Sequence, residues 1–175
     1  DNFVMVVINK RCEPHLSTEE GPYVIVLQQE LGLMNVLLSY MRVSLEDLLK
    51  GLNGELNMTE AMEDLAEALT INQVPGRNPY HKTSWEGKAW SSQKTLGPWF
   101  TDMLLHVDQL AAWAAEVVRP VSLWLPGLFN PMAYLTAIMQ VVARRNTYPL
   151  DEMTTETHVT MIRNSDAGTI TEHPE

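Results

Sequence analysis

The chain has 175 residues, of which 45% are hydrophobic and 19% are charged, which is typical of a globular protein with one sizeable core. Its 22 acidic and 12 basic residues give a net charge of −10, which argues against nucleic acid or an anionic membrane surface as the main partner. No apolar run reaches the roughly 18 residues of a membrane-spanning helix, and no signal peptide is visible. We therefore expect neither nucleic acid nor a membrane as a partner.

The first twenty residues indicate a fragment of a longer intracellular protein. Cys12 is the only cysteine and has no second thiol for an internal disulfide, which favours a reducing compartment. His15 lies three residues further on in a sequence typical of a loop, and free thiols are more often buried than nucleophilic. The sequence starts at Asp1 rather than at a methionine, so we expect it to be cut from a longer polypeptide.

From Tyr23 onward, apolar residues repeat at alternating spacings of four and three, which predicts a long helix with a heptad seam. Gly51 and Gly54 are suited to end it. Ser44 and Asp47 resemble a capping box, so one bent helix and two abutting helices both fit. Few charges flank the seam, which favours packing in a core over an autonomous coiled coil. The seam consists of Leu27, Leu31, Met34, Leu38, Met41, Leu45, Leu48 and Leu52.

A second amphipathic helix is predicted next, with either Asn57 or Thr59 as its N-cap. Its apolar face runs from Met62 to Leu69. Its other residues include four carboxylates, those of Glu60, Glu63, Asp64 and Glu67. Because hard cations need oxygen ligands that converge in a loop, we interpret these carboxylates as a solvated face rather than a metal site.

Residues 73–97 contain prolines and glycines that exclude long helices and strands. This segment also carries Tyr80, Trp85 and Trp90, which are costly to leave in water. A loop of this length within one domain is usually disordered or docked, and its two tryptophans favour docking. We expect the loop to pack on the helical core.

Gly97 and Pro98 open a third predicted helix, with Trp99 and Trp113 on its inner face. His106 lies on the same face. Because no second ligand lies at a metal-binding spacing, we expect it to be partly buried and hydrogen-bonded.

The stretch "SLWLPGLFNPMAYLTAIMQ", residues 122–140, predicts a short extended piece, a Pro-Gly turn and a fourth helix. Asn130 is suited to cap this helix, and Pro131 to its first position. Further on, "MTTETHVTMI" alternates β-branched and polar residues, which predicts a strand, followed by a turn at residues 164–168. A single strand is not stable by itself, so its partner strands are expected outside this sequence.

Signatures of catalysis are missing from the sequence. It contains no G-x-x-x-x-G-K-[ST], no G-x-G-x-x-G and no C-x-x-C pair. No set of residues can be assigned as nucleophile, base and orienting group. We therefore expect no catalytic, cofactor-binding or metal-binding residues here.

Several blocks together resemble the C-terminal region of dynein heavy chains, over about residues 20–163. They are "PYVIVLQQELGLMNVLLSYMRVSLEDLLKGLNGELNMTEAMEDLAEAL", Val74-Pro75, Trp85 with Ala89-Trp90, Leu96-Gly97 with Trp99, "WLPGLFNPMAYLTAIMQ" and "YPLDEM". "GELNMTEAMEDL" and "FNPMAYLTAIMQ" are more similar to the axonemal, outer-arm type than to the cytoplasmic one.

The resemblance implies a mainly α fold: a layer of a long heptad-patterned helix, an acidic second helix and two further buried helices, followed by the first strand of a truncated β-barrel. Residues 1–20 would end the small domain of the last AAA+ module. Residues 21–150 would form the helical part of the C-terminal domain, and residues 151–175 the start of the barrel.

The function implied by the resemblance is that of an ATP-driven, minus-end-directed microtubule motor in the axoneme of a cilium or flagellum. ATP and Mg would bind elsewhere in the parent polypeptide, and the microtubule would be held through a distant stalk. Other partners would be the AAA+ modules of the same polypeptide and the heavy, intermediate and light chains of the complex. This segment would be a non-catalytic layer on the AAA+ ring.

The same resemblance implies the residues that hold this layer together. Trp124, Leu125, Phe129, Tyr134 and Leu135 would be its hydrophobic centre, so that Trp124→Ala would cost about 3 kcal/mol or more. The remaining structural residues would be Trp85, Trp90 and Trp99, which fix the loop, and Trp113, Asn130 and Pro131.

Two other hypotheses follow from the residues alone. A freestanding helical adaptor would use the heptad seam to bind a partner helix, although the prolines and glycines that interrupt this sequence argue against it. A small enzyme would require a pocket that holds His106 or His158 beside a carboxylate of raised pKa.

Overall fold

The structure is a computed structural model that describes residues 4–78, 80 and 84–161. Its described part contains five α-helices, so the prediction of a mainly helical fold is confirmed. The helices are α1 (Met5–Leu16), α2 (Gly21–Leu52), α3 (Glu60–Thr70), α4 (Leu96–Glu116) and α5 (Pro131–Asn146). Three short 3₁₀ turns lie at Glu86–Lys88, Leu125–Gly127 and Leu150–Glu152.

Helix α2 is the spine of the fold and packs against each of the other four helices. Its 32 residues form one uninterrupted helix, which decides between the two alternatives that the sequence left open. Ser44 does not cap a new helix: its hydroxyl donates to the carbonyl of Met41 at 3.0 Å, inside α2. Helix α2 ends at Leu52, shortly before Gly54, whose φ of 77° reverses the backbone at little steric cost.

The heptad seam of α2 is buried along most of its length but not at its C-terminal end. Leu27, Leu31 and Met34 are completely buried, whereas Leu45 and Leu52 are exposed. Leu48, which lies between these two, is buried as well. The seam is therefore continuous core packing as far as Met41, and beyond Met41 only Leu48 remains buried.

Helix α1 was not expected, because residues around His15 have the composition of a loop. Only Ile8 and Cys12, one turn apart, are buried in it, while Val4, Val6 and Val7 are exposed. Two buried positions leave almost no periodic signal in the sequence. Burial raises the pKa of the Cys12 thiol, which keeps it in the unreactive, protonated form.

The ends of the later helices follow the sequence closely. Thr59, rather than Asn57, is the N-cap of α3 and accepts the N–H of Met62. Asn130 caps α5 by accepting the N–H of Ala133 at 3.1 Å. At the other end of α5, Arg145 forms ion pairs with Glu19 and Glu20, which ties that end to the connection between α1 and α2.

The predicted C-terminal strand is wrong for the residues that the structure describes. Residues 153–161 have no strand pairing, and Val159 and Met161 are almost fully exposed. Alternating residues favour a strand only where a partner strand supplies the hydrogen bonds, and the described residues include none. The predicted turn at 164–168 lies outside the described residues. The extended piece at 121–125 likewise forms no strand, since it runs through a bend into a 3₁₀ turn.

Helix α2 is long and apolar enough to cross a bilayer by length and composition, which differs from the sequence expectation. The mean hydropathy of a long window can stay high although polar residues interrupt it, whereas the sequence expectation considered only unbroken apolar runs. In this window 44% of the residues are buried inside the fold, as in the core helix of a helical domain. This length and composition are therefore weak evidence for a membrane span.

Candidate functional site

A cluster of rings, named here the aromatic core, joins the loop of residues 73–95 to α4 and to the turn before α5. Trp90 lies at its centre. Its ring stacks on Trp99 with centroids 5.2 Å apart and planes 6° from parallel. Its centroid also lies 4.0 Å from that of His106 and 6.0 Å from that of Phe129. Offset and edge-to-face pairs at these distances stabilise beyond the area they bury.

Trp85 attaches the same loop to α2. Its indole N–H donates to the hydroxyl of Ser44 at 3.0 Å, and its ring lies 6.4 Å from that of Trp99. A buried indole needs a hydrogen-bond partner, and Ser44 supplies it from the middle of a helix. The loop is therefore docked, as the sequence predicted, although Tyr80 is largely exposed.

The guanidinium of Arg77 closes the loop on itself. Nε donates to the carboxylate of Glu86 at 3.0 Å, Nη1 to the carbonyl of Lys94 at 2.8 Å, and Nη2 to the carbonyl of Ser92 at 2.9 Å. One planar group thus ties residue 77 to two later parts of the loop, residue 86 and residues 92–94.

Arg77→Ala is expected to destabilise the 175-residue protein by about 1–2 kcal/mol, because it removes three hydrogen bonds, one of them to a carboxylate. Limited proteolysis should then cut the loop faster, and urea unfolding should show the loss. The control is Lys94→Ala, which removes only an exposed ion pair to Asp102 and should cost less than about 1 kcal/mol. Equal losses in the two variants would contradict the role of the three Arg77 hydrogen bonds in holding the loop.

A second ring cluster lies where α2, α4 and α5 meet. Tyr134 packs edge-on against Trp113, with centroids 5.8 Å apart, and lies 5.5 Å from Tyr23. Arg119 lies over the ring of Tyr23 at 5.6 Å. Burial raises the pKa of Tyr134 to about 12, so its phenol stays neutral. This cluster can pack helices together but offers no reactive group at neutral pH.

Glu30, in the middle of α2, is buried to 1% exposure and holds the start of α5. Its carboxylate oxygens accept the backbone N–H groups of Phe129 at 2.7 Å and Asn130 at 2.9 Å. Desolvation raises the pKa of the Glu30 carboxyl, and the two amide hydrogen bonds oppose that shift. One side chain therefore fixes the turn before α5 against the spine.

His106 is completely buried in the aromatic core, and neither of its ring nitrogens makes a hydrogen bond of normal geometry. This differs from the expectation of a hydrogen-bonded histidine, because its neighbours on both sides are the rings of Trp90 and Trp124. Burial lowers the pKa of His106 from its ordinary value of 6.5 to about 4, against smaller opposing effects of Asp102 and of the nearby backbone carbonyl of Pro126. The imidazole is therefore neutral at physiological pH.

The depressed pKa of His106 predicts that acid destabilises the protein. Below pH 6.5 the imidazole of His106 binds a proton in the unfolded state but not in the native state, so stability is lost as pH falls from 6.5 towards 4. We expect His106 to contribute a loss of about 2 kcal/mol between pH 7 and pH 5. The raised pKa of the Glu30 carboxyl acts in the opposite direction, because the native state then binds a proton more readily than the unfolded state. Urea unfolding at each pH measures the loss.

The variant that tests this prediction is His106→Leu. It should remove this loss between pH 7 and pH 5, because it removes the titrating group. A wild-type slope that persists in His106→Leu would assign the acid sensitivity to other groups.

The structure divides the eleven residues implied by the resemblance into three groups by burial. The buried ones are Trp85, Trp90, Trp99, Trp113 and Tyr134. The half-buried ones are Leu125, Phe129, Pro131 and Leu135, and the exposed ones are Asn130 and Trp124. Asn130 and Pro131 act at the start of α5, whereas Leu135 and Trp113 lie outside the aromatic core.

Trp124 lies at the rim of the aromatic core rather than at its centre, with 37% of its surface exposed. Its backbone N–H and carbonyl pair with the side-chain amide of Gln109 at 2.7 and 3.3 Å. Its ring lies over the following turn so closely that a Cβ on Gly127 would come within 2.5 Å of it. The tryptophan therefore covers a glycine turn instead of filling the core.

The sequence analysis missed three residues that organise this site. Glu30 is the only charged residue between Gly21 and Met41, and this is the one feature that could have marked it. Arg77 and Gln109 are ordinary surface types, and only their positions in space give them several partners. Among the described residues, no three His, Cys, Asp or Glu side chains are placed to hold a metal ion. The arrangement fixes a loop and a turn to a helical spine.

Comparison with known proteins identifies the relatives of this protein. Residues 3–175 match the family model for the C-terminal domain of the dynein heavy chain. The dynein beta chain of the flagellar outer arm from Chlamydomonas reinhardtii is 46% identical over 160 residues, and dynein axonemal heavy chain 17 from Homo sapiens is 42% identical over 144. These matches cover 91% and 82% of this sequence but 3% of each relative. The dynein alpha chain of the Chlamydomonas outer arm is 42% identical over 167 residues, covering 90% of this sequence and 3% of that one.

Proposed function

The chain belongs to the dynein heavy chain family, and we propose that it works as a non-catalytic layer of an ATP-driven, minus-end-directed microtubule motor. Its relatives are axonemal, ciliary and flagellar heavy chains, and the protein is accordingly axonemal. The chain spans 3% of the length of those relatives. The motor activity, ATP and Mg binding, and the microtubule contact are therefore proposed for other parts of the heavy chain.

The observation that carries the layer hypothesis is how the loop and the turn are fixed to one spine. The hydrogen bonds of Trp85 to Ser44 and of Glu30 to the turn before α5 tie these irregular segments to α2. The aromatic core and the hydrogen bonds of Arg77 fix the conformation of the loop itself. A rigid layer that touches several AAA+ modules can couple them if its contact energies differ between states of the ring. We propose the AAA+ modules of the same heavy chain as the direct partners, with intermediate, light and other heavy chains in the same complex.

The domain limits implied by the resemblance remain part of this proposal. Residues 1–20 would end the small domain of the last AAA+ module, and residues 21–150 would form the layer. Helix α1 packs on α2 through Ile8 and Cys12, which supports a firm connection between the two parts.

The decisive experiment is the mass of the native polypeptide that carries residues 122–140. An antibody to this stretch should detect a very large band that is enriched in isolated cilia or flagella and co-purifies with ATPase activity. A band near 20 kDa outside cilia would overturn the proposal and favour a freestanding helical adaptor.

A further inference from the structure

The solvent-facing side of α2 has no charge over most of its length. Between Gly21 and Met41 the only acidic or basic residue is Glu30, and its carboxylate is buried against the start of α5. On the side of α2 opposite the heptad seam, uncharged residues repeat at spacings of three and four and form what is named here the outer stripe. The outer stripe consists of Ile25, Gln29, Leu33, Val36, Tyr40 and Val43.

The outer stripe differs from a solvated helix face in the same molecule. Helix α3 presents Glu60, Glu63 and Glu67 to solvent, as amphipathic surface helices usually do. The outer stripe instead exposes Val36 to 53%, with Ile25, Leu33 and Val43 comparably exposed. It extends over about five turns, or about 27 Å at 1.5 Å per residue. A mostly apolar exposed surface of this length, interrupted only by the uncharged Gln29, indicates an interaction site.

The shape around the outer stripe suits a helix. Three shallow grooves follow one another along α2. One lies between Gln28 and Leu33 beside Asn130, and the next between Asn35 and Val43. The third continues past Val43 to Asp47 against α3. Aliphatic side chains at spacings of three and four on a partner helix would enter successive grooves.

One positive charge marks the rim of the middle groove. The ammonium of Lys88 lies 4.7 Å from the centroid of the Tyr40 ring, an arrangement typical of a cation–π contact. Within the described residues, no carboxylate lies at ion-pairing distance from Lys88. A partner helix with a carboxylate beside the middle groove would form an ion pair with Lys88.

We propose that the outer stripe binds an amphipathic helix from another part of the same dynein heavy chain, with aliphatic side chains in the three grooves and a carboxylate facing Lys88. The proposal rests on the function proposed above. Because this sequence spans 3% of the length of its relatives, most of such a heavy chain lies outside these residues. A partner in the same polypeptide acts at a high effective concentration, so one helix face suffices for stable docking.

A membrane is the less favoured occupant. Helices that lie on membranes usually carry Lys and Arg on their polar face, whereas this protein has a net charge of −10 and α2 has Arg42 and Lys50 as its only basic residues. The three grooves, and the positive charge of Lys88 beside the middle one, favour a protein helix instead.

The test places a photo-crosslinking benzoylphenylalanine at position 36 of the complete heavy chain in its native complex. Mass spectrometry should find position 36 joined to an aliphatic-rich helical peptide of the same heavy chain. Zero-length carbodiimide coupling should join Lys88 to an aspartate or glutamate of that peptide. Position 118, where Val118 is 58% exposed and outside the outer stripe, is the matched control and should give no such product.

Charge substitutions give a second measurement in the complete heavy chain. Val36→Glu should increase the rate of limited proteolysis between this region and the rest of the polypeptide about tenfold, because it puts an unpaired carboxylate into the interface. Val118→Glu should not. Lys88→Glu should weaken the docking, and a lysine in place of the coupled carboxylate should restore it.

The outcomes separate this inference from the proposed function. If these residues belong to a ciliary heavy chain but position 36 couples to a second copy, another polypeptide or lipid, or to nothing, the inference is overturned and the proposed function stands. If they belong to no heavy chain, both fail.

Discussion

Trp99→Ala should be the most damaging single truncation in the aromatic core, with a loss of about 4 kcal/mol of unfolding free energy. Trp99 is 1% exposed and lies between the rings of Trp85 and Trp90. Its removal leaves a large cavity and takes away the surface on which the loop is stacked. Urea unfolding followed by far-ultraviolet circular dichroism measures the loss without depending on tryptophan fluorescence.

Trp124→Ala is the matched control for this prediction. Trp124 is the same residue type but is 37% exposed, so its truncation should cost about 1–2 kcal/mol. This is smaller than the loss that the resemblance implied, because the structure places Trp124 at the rim. A loss in Trp124→Ala as large as that in Trp99→Ala would contradict the placement of the two rings.

The second large effect is expected from Glu30→Ala, at about 3 kcal/mol. The substitution leaves the N–H groups of Phe129 and Asn130 without their acceptor and opens a gap beside α2. The start of α5 should loosen, so hydrogen exchange at these two amides should accelerate more than at the amides of α3. Chemical denaturation measures the stability itself.

Glu30→Gln tests the origin of that loss. The amide keeps the size of the side chain and one acceptor oxygen, but its NH₂ group faces a backbone donor. We therefore expect about half the loss of Glu30→Ala. If Glu30→Gln were as stable as the wild type, one acceptor would be enough and the paired geometry would be incidental.

Local sequence signals determined most of the helices. The seam from Leu27 to Met41 predicted the buried face of α2, because a period near 3.6 survives any arrangement of the neighbouring helices. Asn130 fixed the start of α5, since its cap bond reaches only three residues along the sequence. The docked loop followed from Trp85 and Trp90, whose rings are costly to expose.

The errors have physical causes. Alternation after residue 153 predicted a strand, but strand formation depends on hydrogen bonds from another segment, and the described residues supply none to residues 153–161. Helix α1 was missed because two buried residues, Ile8 and Cys12, give too short a pattern. Trp124 was assigned to the centre from the resemblance to dynein heavy chains, and a resemblance along the sequence does not say which ring of a group is covered.

The sequence by itself therefore determined four of the five described helices, the Asn130 cap and the family, because these depend on neighbours within a few residues or on matches along the sequence. Tertiary structure alone decided the partners of Glu30, Arg77 and His106. Phe129 is 99 positions from Glu30, and Ser92 is 15 from Arg77. No local pattern encodes which distant amide or ring meets a given side chain, since that pairing exists only once the helices have packed.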